Sequence, residues 1–422
     1  MATVVAMRFS VLDRGAASPL DQVAEHARHV ERLGFRRFLV AEHHGVPGIP
    51  VGQPGMLAAH VAAHTQRIRV GTAGIMLLNH PPFLVAEQIN LLEALYPGRI
   101  DIGIGSSVGF TGPVRRALRQ GEPAEVKQRF ETELETLLRY LRGEEAVTVR
   151  PEYAGTPIYV LAGFRSAMVA AKMGLGVILG GPVATQEAAA RVYREHALAD
   201  APPIISSLNI AVAETSAAGR DLLLPEAYAK ALAQSTGEFA ALRPAGELDM
   251  DALTGQQRRR IEEALAHDVW GTVKEVGEEL RGVGKRLGVS EFVVTGDMPD
   301  VAGRARSEEL LASRVKGQNV CLARRVAGVR FGLFGCRLSG CTRCRYRCRR
   351  GLVVLFRGRL GSRCGSGWIL WRVGPGPSGT AWRFVVDRRA VLFLGTATSP
   401  AFCAGVHLFC PGEHAQSLSG ER

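Results

Sequence analysis

A chain of 422 residues, 46% of them hydrophobic, with a formal net charge of +12, is long enough for one large domain or two average ones. No run reaches the roughly 18 uninterrupted apolar residues of a membrane-spanning helix, and residues 1–7 show no basic segment followed by an apolar one. We therefore expect a cytoplasmic protein that neither spans a membrane nor carries an export signal.

Composition divides the chain near residue 316. All eight cysteines and three of the four tryptophans follow residue 320, and the segment from Gly317 onward contains 17 arginines, no lysine and 3 acidic residues. The excess positive charge therefore belongs to this tail (316–422), whereas the body (1–315) is close to neutral. Because the body has no cysteine, neither disulfides nor a thiolate metal site can support it.

Within the body, apolar runs of strand length alternate with amphipathic runs of helix length. The predicted strands are Val4–Val11, Arg37–His43, Arg69–Leu77, Arg99–Gly105, Ile158–Gly163, Gly176–Gly181, Ile204–Ala213 and Glu291–Gly296. A helix opening at Ser18 and ending at Gly34 follows the first of them, and the other predicted helices are Gln53–Thr65, Pro82–Leu95, Ala124–Leu141, Ser166–Met173, Gln186–Leu198, Glu226–Leu242, Val273–Leu287 and Arg304–Arg314.

This alternation predicts an α/β fold of parallel βα units. Eight units fit a closed (β/α)₈ TIM barrel better than an open sheet, and no G-x-G-x-x-G follows the first strand. The segment from Leu198 to Arg260 is longer than one unit needs, so we expect an insertion or an extra helix there.

The active site of such a barrel is built at the C-terminal ends of the strands. The second predicted strand ends in Glu42, His43 and His44, which makes an acid/base role for an imidazole the favoured interpretation. Neighbouring side chains on a strand point to opposite faces, so the two histidines cannot easily share an ion, and we predict no metal. Alternatively, one histidine is hydrogen-bonded in the barrel wall and the other lies at the surface.

Small residues and hydroxyls follow the next strands. In Gly71–Gly74, the residues Ala73 and Gly74 either leave room for a flat ligand or serve only strand packing. Asn79 and His80 lie in the loop beyond the third predicted strand, where they either contact the substrate or shape a turn. His44 is a further candidate for contact with the substrate.

The fourth and fifth predicted strands lead into groups that suit an anion. Gly105, Ser106 and Ser107 offer backbone N–H groups and hydroxyls. Gly163, Arg165 and Ser166 combine the start of a helix with a guanidinium and a hydroxyl, which suits a phosphate unless Arg165 is only a solvated surface cation.

Taken in order, these segments resemble the bacterial-luciferase-like, flavin-dependent monooxygenase family (LLM class). The resemblance rests on Ala41-Glu42-His43-His44, Arg69 to Gly74, Leu77 with Asn79-His80-Pro81, Ala86-Glu87-Gln88 and the run from Leu92 to Gly105. The resemblance covers the whole body. Within the family, the chain is most similar to the branch found among biosynthetic enzymes for antibiotic-type metabolites.

The resemblance implies a barrel that receives reduced FMN from a separate flavin reductase, forms a peroxyflavin with O₂ and oxygenates a small organic substrate. It also implies that His43 lies at the reacting flavin edge with Glu42 beside it, that the Ala73–Gly74 peptide is cis under the flavin ring, and that the protein is a homodimer. Where the family commonly has an arginine this chain has Ser106. Phosphate binding then falls more to Arg165 or the helix at Ser166, and we expect weaker flavin affinity.

The tail favours no defined module. Cys341, Cys344 and Cys348 lack a second ligand pair at zinc-finger spacing. Arginine, glycine, cysteine and tryptophan in excess, without lysine, are typical of GC-rich DNA translated in a shifted frame. We therefore expect a non-native, poorly ordered extension, the alternative being a basic tail that binds nucleic acid through phosphates.

The sequence leaves hydroxylation, epoxidation and Baeyer–Villiger insertion open. A deazaflavin-dependent oxidoreductase and a flavin-binding protein without turnover remain the alternatives to an FMN-dependent monooxygenase.

Overall fold

A computed structural model describes residues 7–17, 19–109, 111–153 and 155–326, with side chains as far as residue 313, and four short strands between residues 355 and 395. In the described part up to residue 326, nine strands form one sheet in which every pairing is parallel. They are β1 (Arg8–Asp13), β2 (Arg37–Val40), β3 (Arg69–Met76), β4 (Ile100–Gly105), β5 (Ile158–Ala162), β6 (Gly176–Leu179), β7 (Ile205–Val212), β8 (Val269–Gly271) and β9 (Glu291–Thr295).

Eight of these strands close into the predicted barrel. β1 to β7 pair in chain order, and β9 joins β7 to β1. β8 was not predicted, because three residues are too few to show a period. It pairs with Ile210–Val212 at the end of β7, beyond the residues of β7 that pair with β9.

Helices surround the barrel. They are α1 (Val23–Leu33), α2 (Pro54–His64), α3 (Pro82–Leu95), α4 (Gly112–Ala117), α5 (Pro123–Gln128), α6 (Phe130–Arg142), α7 (Phe164–Lys172), α8 (Val183–His196), α9 (Ser216–Thr236), α10 (Gly255–Leu265), α11 (Val273–Leu287) and α12 (Val301–Val326). None of the described helices is both long and apolar enough to cross a membrane.

The predicted helices Pro82–Leu95 and Val273–Leu287 are confirmed at both ends, and α10 is the expected extra helix. The predicted start of α9 at Glu226 is wrong. This helix begins ten residues earlier, where the Thr215 hydroxyl accepts a hydrogen bond from the Ala218 N–H, and it continues through Pro225. Two other predictions also differ: 124–141 divides into α5 and α6, and α12 extends past Arg314 to Val326. Ser18, the predicted first helix cap, lies outside the described residues.

The barrel interior is filled in layers. Charged and polar side chains occupy the N-terminal end, where Arg37 contacts Asp101, Glu291 and the Tyr159 hydroxyl. Above them lies an apolar layer made of Leu39, Ala73, Tyr159, Ile178, Ile205 and Val293. Side chains alternate along a strand, so the next inward positions, at the C-terminal rim, carry Arg14, His43, Ser207, Asn209 and Thr295.

The chain divides into two compact units, Met1–Leu322 and Ala323–Arg422. The second contains two antiparallel pairs, β10 (Leu355–Arg357) with β11 (Trp368–Leu370) and β12 (Trp382–Val386) with β13 (Val391–Gly395). The cysteines considered as zinc ligands lie outside the described residues.

Candidate active site

A buried carboxylate organises the rim beyond β2. Glu42 is 2% exposed, and its oxygens lie 2.7 Å from His44 Nε2, 3.0 Å from His80 Nε2 and 2.6 Å from Asn79 Nδ2. The Met76 N–H also donates to it at 3.0 Å. Burial raises the pKa of Glu42, but the hydrogen bonds from His80, Asn79 and Met76 outweigh this and hold the pKa below its usual value. Glu42 is therefore a carboxylate at neutral pH.

The Glu42 cluster, defined as Glu42, His44, Asn79 and His80, unites four candidate residues. Glu42, His44 and His80 offer ligand atoms within 4.8 Å of one another, which is close enough to consider a metal. Both imidazole Nε2 atoms are directly hydrogen-bonded to the carboxylate, so the arrangement present is a hydrogen-bonded set. It is not the His43–His44 pair that the sequence raised.

The loop after β4 is attached to this cluster. The Gln120 side-chain amide donates to Asn79 Oδ1 and to the Leu78 carbonyl, and its oxygen accepts the Gly109 N–H at 3.0 Å. Glu42 thereby helps to position the segment that begins with Ser106 and Ser107.

His43 is partly buried on the inner side of the rim, and its backbone N–H donates a hydrogen bond to the Val51 carbonyl at 2.7 Å. Burial and the nearby Arg14 guanidinium lower the pKa of His43 to about 4. Arg14 is in turn held by Glu226 and Asp297, each 2.7 Å from Nη2. At neutral pH the imidazole is uncharged, with one nitrogen able to accept a proton and the other able to donate.

The wall next to His43 has few side chains. The Ala73–Gly74 peptide is cis, as the resemblance implied. A Cβ at Gly74 would lie 2.6 Å from the Gly103 carbonyl oxygen, so this glycine allows β3 and β4 to approach closely. A Cβ added at Gly163 or Gly180, beyond β5 and β6, would meet nothing within 4 Å. Open space therefore begins past the end of β5.

The phosphate candidates occupy two neighbouring loops, because β4 and β5 are paired. Ser106 is partly buried and Ser107 exposed. Gly163 caps α7 without a side-chain hydrogen bond, Arg165 is exposed, and Ser166 is partly buried in the first turn. The two groups that the sequence suggested separately therefore follow neighbouring strands.

Comparison with known proteins identifies the family of the chain. The model of a family described as luciferase-like monooxygenase matches residues 1–291. The chain belongs to this family.

The relatives span nearly the same length of chain. The Bacillus subtilis protein YvbT is 31% identical over 300 residues, covering 68% of this chain and 88% of YvbT. The N-acetyl-S-alkylcysteine monooxygenase of Bacillus subtilis is 28% identical, covering 73% of this chain and 98% of its own. The crystal structure of apo-MsnO8 has a TM-score of 0.67 and 31% identity, over 74% of this chain and 98% of that one.

More distant structures share the fold alone. The oxygenating constituent of 3,6-diketocamphane monooxygenase from Pseudomonas putida, solved with FMN, has a TM-score of 0.57 at 15% identity and covers 74% of this chain and 99% of its own. An F420-dependent secondary alcohol dehydrogenase has a TM-score of 0.58 at 14% identity, with the same two coverages. The barrel itself therefore does not choose between these two cofactors.

Sequence reasoning missed several rim residues of this luciferase-like barrel. Three of them occupy inward-facing positions: Arg14 directly follows β1, Asn209 lies within β7, and Thr295 is the last residue of β9. Counting in steps of two from the apolar layer would have found them. Asp268 had no such signal, because it precedes the unpredicted strand β8.

Proposed function

We propose that this protein is a monooxygenase that uses reduced FMN, supplied by a separate flavin reductase, and O₂ to oxygenate a small organic substrate. One observation carries the proposal: an uncharged imidazole at the rim, His43, lies beside a wall with few side chains. A flat redox cofactor needs such a wall, and an oxygenation step needs a positioned group that exchanges protons.

The described residues fit a flavin. Its ring would lie along the Ala73–Gly74 wall, and the open space at Gly163 would receive the ribityl chain. The Ser106 and Ser107 hydroxyls, Arg165 and the α7 N-terminus at Ser166 would hold the phosphate, with Gly105 and Gly163 allowing close approach of the backbone. When bound, reduced FMN supplies the electrons that activate O₂.

The chain's own side chains would bind, orient and exchange protons. His43 would accept a proton from, or donate a hydrogen bond to, the reacting oxygen. Glu42 would fix the rim around His43, and its partners His44, Asn79 and His80 would present their remaining surfaces to the substrate. Apolar side chains below the rim exclude water from the reaction.

We also propose that the protein forms a homodimer and is located in the cytoplasm. Exposed leucines Leu84, Leu91 and Leu95 form one stripe on α3, and Met56 is 71% exposed on α2. Gly55 of α2 packs against Gln88 of α3, so the two apolar surfaces adjoin. A second copy of the chain would cover this face in a homodimer. The cysteine-free body favours the cytoplasm.

The test compares cofactors and then turnover. Titrations with FMN and with the deazaflavin F420 should show preferential FMN binding, and O₂ uptake should require FMN, NADH and a flavin reductase together. His60→Ala, an exposed histidine of α2, serves as the matched control for His43→Ala. Preferential F420 binding without O₂ uptake would identify a deazaflavin oxidoreductase, and FMN binding without redox turnover a flavin-binding protein.

A further inference from the structure

A polar cavity lies across the barrel rim from His43. It has a volume of about 260 Å³, and its lining includes Ser207, Asn209, Lys230, Asp268 and Thr295. In the closed ring β7 is three strands away from β2, which His43 follows, and four strands away from β3, so this cavity lies on the far side of the rim from the Glu42 cluster. Asn209 and Thr295 occupy inward-facing positions of their strands, as His43 does, so this part of the lining lies on the inner side of the rim.

A chain of hydrogen bonds fixes a carboxylate in this cavity. The Thr295 hydroxyl donates to Asn209 Oδ1 at 2.6 Å, and Asn209 Nδ2 donates to Asp268 Oδ1 at 2.9 Å. Among the described residues, no hydrogen bond reaches the other oxygen, Oδ2. Burial raises the pKa of Asp268 to about 6, so the group is mainly ionised above pH 7. The cavity therefore contains an oriented acceptor with unused capacity.

Asp268 lies in the segment that the extra helix α10 adds to the barrel. It follows α10, the extra helix, and precedes β8, whose pairing with the end of β7 holds this segment against the barrel. An eight-stranded barrel does not need these elements for closure. The segment adds a wall and a carboxylate to the mouth, as expected of an element that selects the substrate.

The charges around the cavity favour a neutral partner. Lys230 lines the same cavity and forms an ion pair with Glu226 at 2.5 Å, and its positive charge acts on Asp268. A carboxylate ligand would be repelled by Asp268. The charge of Lys230 is compensated by Glu226, so an ammonium ligand is disfavoured only by the hydration that it would lose on entering the cavity. A hydroxyl can donate to Asp268 Oδ2 while carrying no charge, so it avoids both the repulsion and most of the loss of hydration.

We propose that Asp268, oriented by Asn209 and Thr295, binds an alcohol or phenol hydroxyl of the substrate opposite His43. The inference rests on the proposed function for the identity of the ligand as substrate. It makes Asp268 a specificity-determining residue of the monooxygenase.

The test measures fragment affinities by ligand-observed NMR on the full chain, with and without FMN. The probes are cyclohexanol, its donor-free methyl ether (cyclohexyl methyl ether), cyclohexylammonium and cyclohexanecarboxylate. We expect cyclohexanol to bind tightest, and Asp268→Ala to weaken its binding by roughly 10- to 100-fold, as expected for a hydrogen bond to a charged group. The shape-conserving Asp268→Asn should weaken it less, and Glu263→Ala on exposed α10 surface not at all.

Three outcomes would overturn the proposal: equal binding of the alcohol and the ether, a preference for either charged probe, or undiminished cyclohexanol binding by Asp268→Ala. FMN affinity, read separately by flavin fluorescence, should be unchanged in both Asp268 variants. If the unaltered protein did not bind FMN, the proposed function would be contradicted. The proposal that Asp268 binds a hydroxyl would still be tested, because the fragment affinities are also measured without flavin.

Discussion

His43 is held uncharged by its surroundings, which sets the pH range in which it can serve as an acid/base group. Burial and Arg14 lower its pKa to about 4, so the neutral form persists far below the usual histidine range. Protonation returns only as the pH falls through about 4. A limb of the pH–rate profile caused by His43 should therefore lie near pH 4, well below the 6.5 of an unperturbed imidazole.

Replacing His43 by alanine should lower coupled oxygenation by about 10²- to 10⁴-fold, the usual value of a positioned acid/base group. FMN affinity should change little. Product formation under saturating reduced FMN measures the effect, with His60→Ala as the control. Normal product formation by the His43 variant would remove this residue from the chemistry.

Arg165 is expected to act on binding alone. Arg165→Ala should weaken FMN affinity while leaving turnover at saturating FMN nearly unchanged, because a phosphate contact is made equally in the ground and transition states. Fluorescence titration measures the affinity. Lys172→Ala, at the opposite end of α7, is the matched control. Identical FMN affinities for both variants would leave Arg165 as a surface cation.

At the scale of elements, a buried histidine joins β1, α1 and α12. His26 Nδ1 lies 2.6 Å from Asp13 Oδ2, and Nε2 lies 2.6 Å from Glu308 Oε1. Burial lowers the pKa of His26, but Glu308 and Asp13 outweigh it and raise the pKa to about 9. The protonated histidine thus connects three elements of the barrel wall through ion pairs.

This raised pKa links stability to pH. Because the folded value exceeds the unfolded value of about 6.5, the contribution is complete below pH 6.5 and is lost as the pH rises through about 9. Its size is on the order of 3 kcal/mol. His26→Gln should therefore lower the free energy of unfolding more at pH 6 than at pH 9.5. Denaturant unfolding at both values tests this, with His60→Gln as control; a pH-independent difference would contradict it.

The elements that sequence could predict are those with a long period. α3 and α11 were predicted to the residue because each has continuous amphipathic or apolar patterning between clear boundaries. β8 has three residues, and α9 contains a proline that normally marks a helix start, so these two could not be read correctly. Local rules failed where tertiary pairing or packing decided the outcome.

In the candidate site, too, local sequence patterns predicted the residues but not the contacts between them. Glu42, His44, Asn79 and His80 follow strand ends and were selected for their positions, but their shared hydrogen bonds depend on three-dimensional contact. Asp268 lies 59 residues from Asn209, in a segment without strand signal. No pattern along the chain could have joined them.

At the scale of the whole molecule, the exposed α2–α3 face predicts self-association. Leu91→Glu should convert a dimer to a monomer, because it places a charge at the centre of the apolar stripe. Leu198→Glu, at a leucine that is 56% exposed away from these helices, is the control. Light scattering after size exclusion measures the mass; a monomeric unaltered protein would contradict the proposed dimer.

The tail should be dispensable for activity. A chain ending at Lys316 contains all eight barrel strands and the region that matches the family. We expect it to keep FMN binding and oxygenation and to be more soluble than the full chain. Comparison of melting temperature, FMN affinity and product formation tests this. Unfolding or loss of FMN binding would make the tail part of the enzyme and exclude our frameshift interpretation.

The layered interior also determines from which end of the barrel a ligand can enter. Arg37, Asp101 and Glu291 fill the N-terminal end of the barrel, and the apolar layer fills its middle. Among the described residues, this leaves the C-terminal rim as the side from which the proposed FMN and substrate would enter. If the proposed FMN lies along the Ala73–Gly74 wall with the substrate above it, FMN would bind first and would be released last.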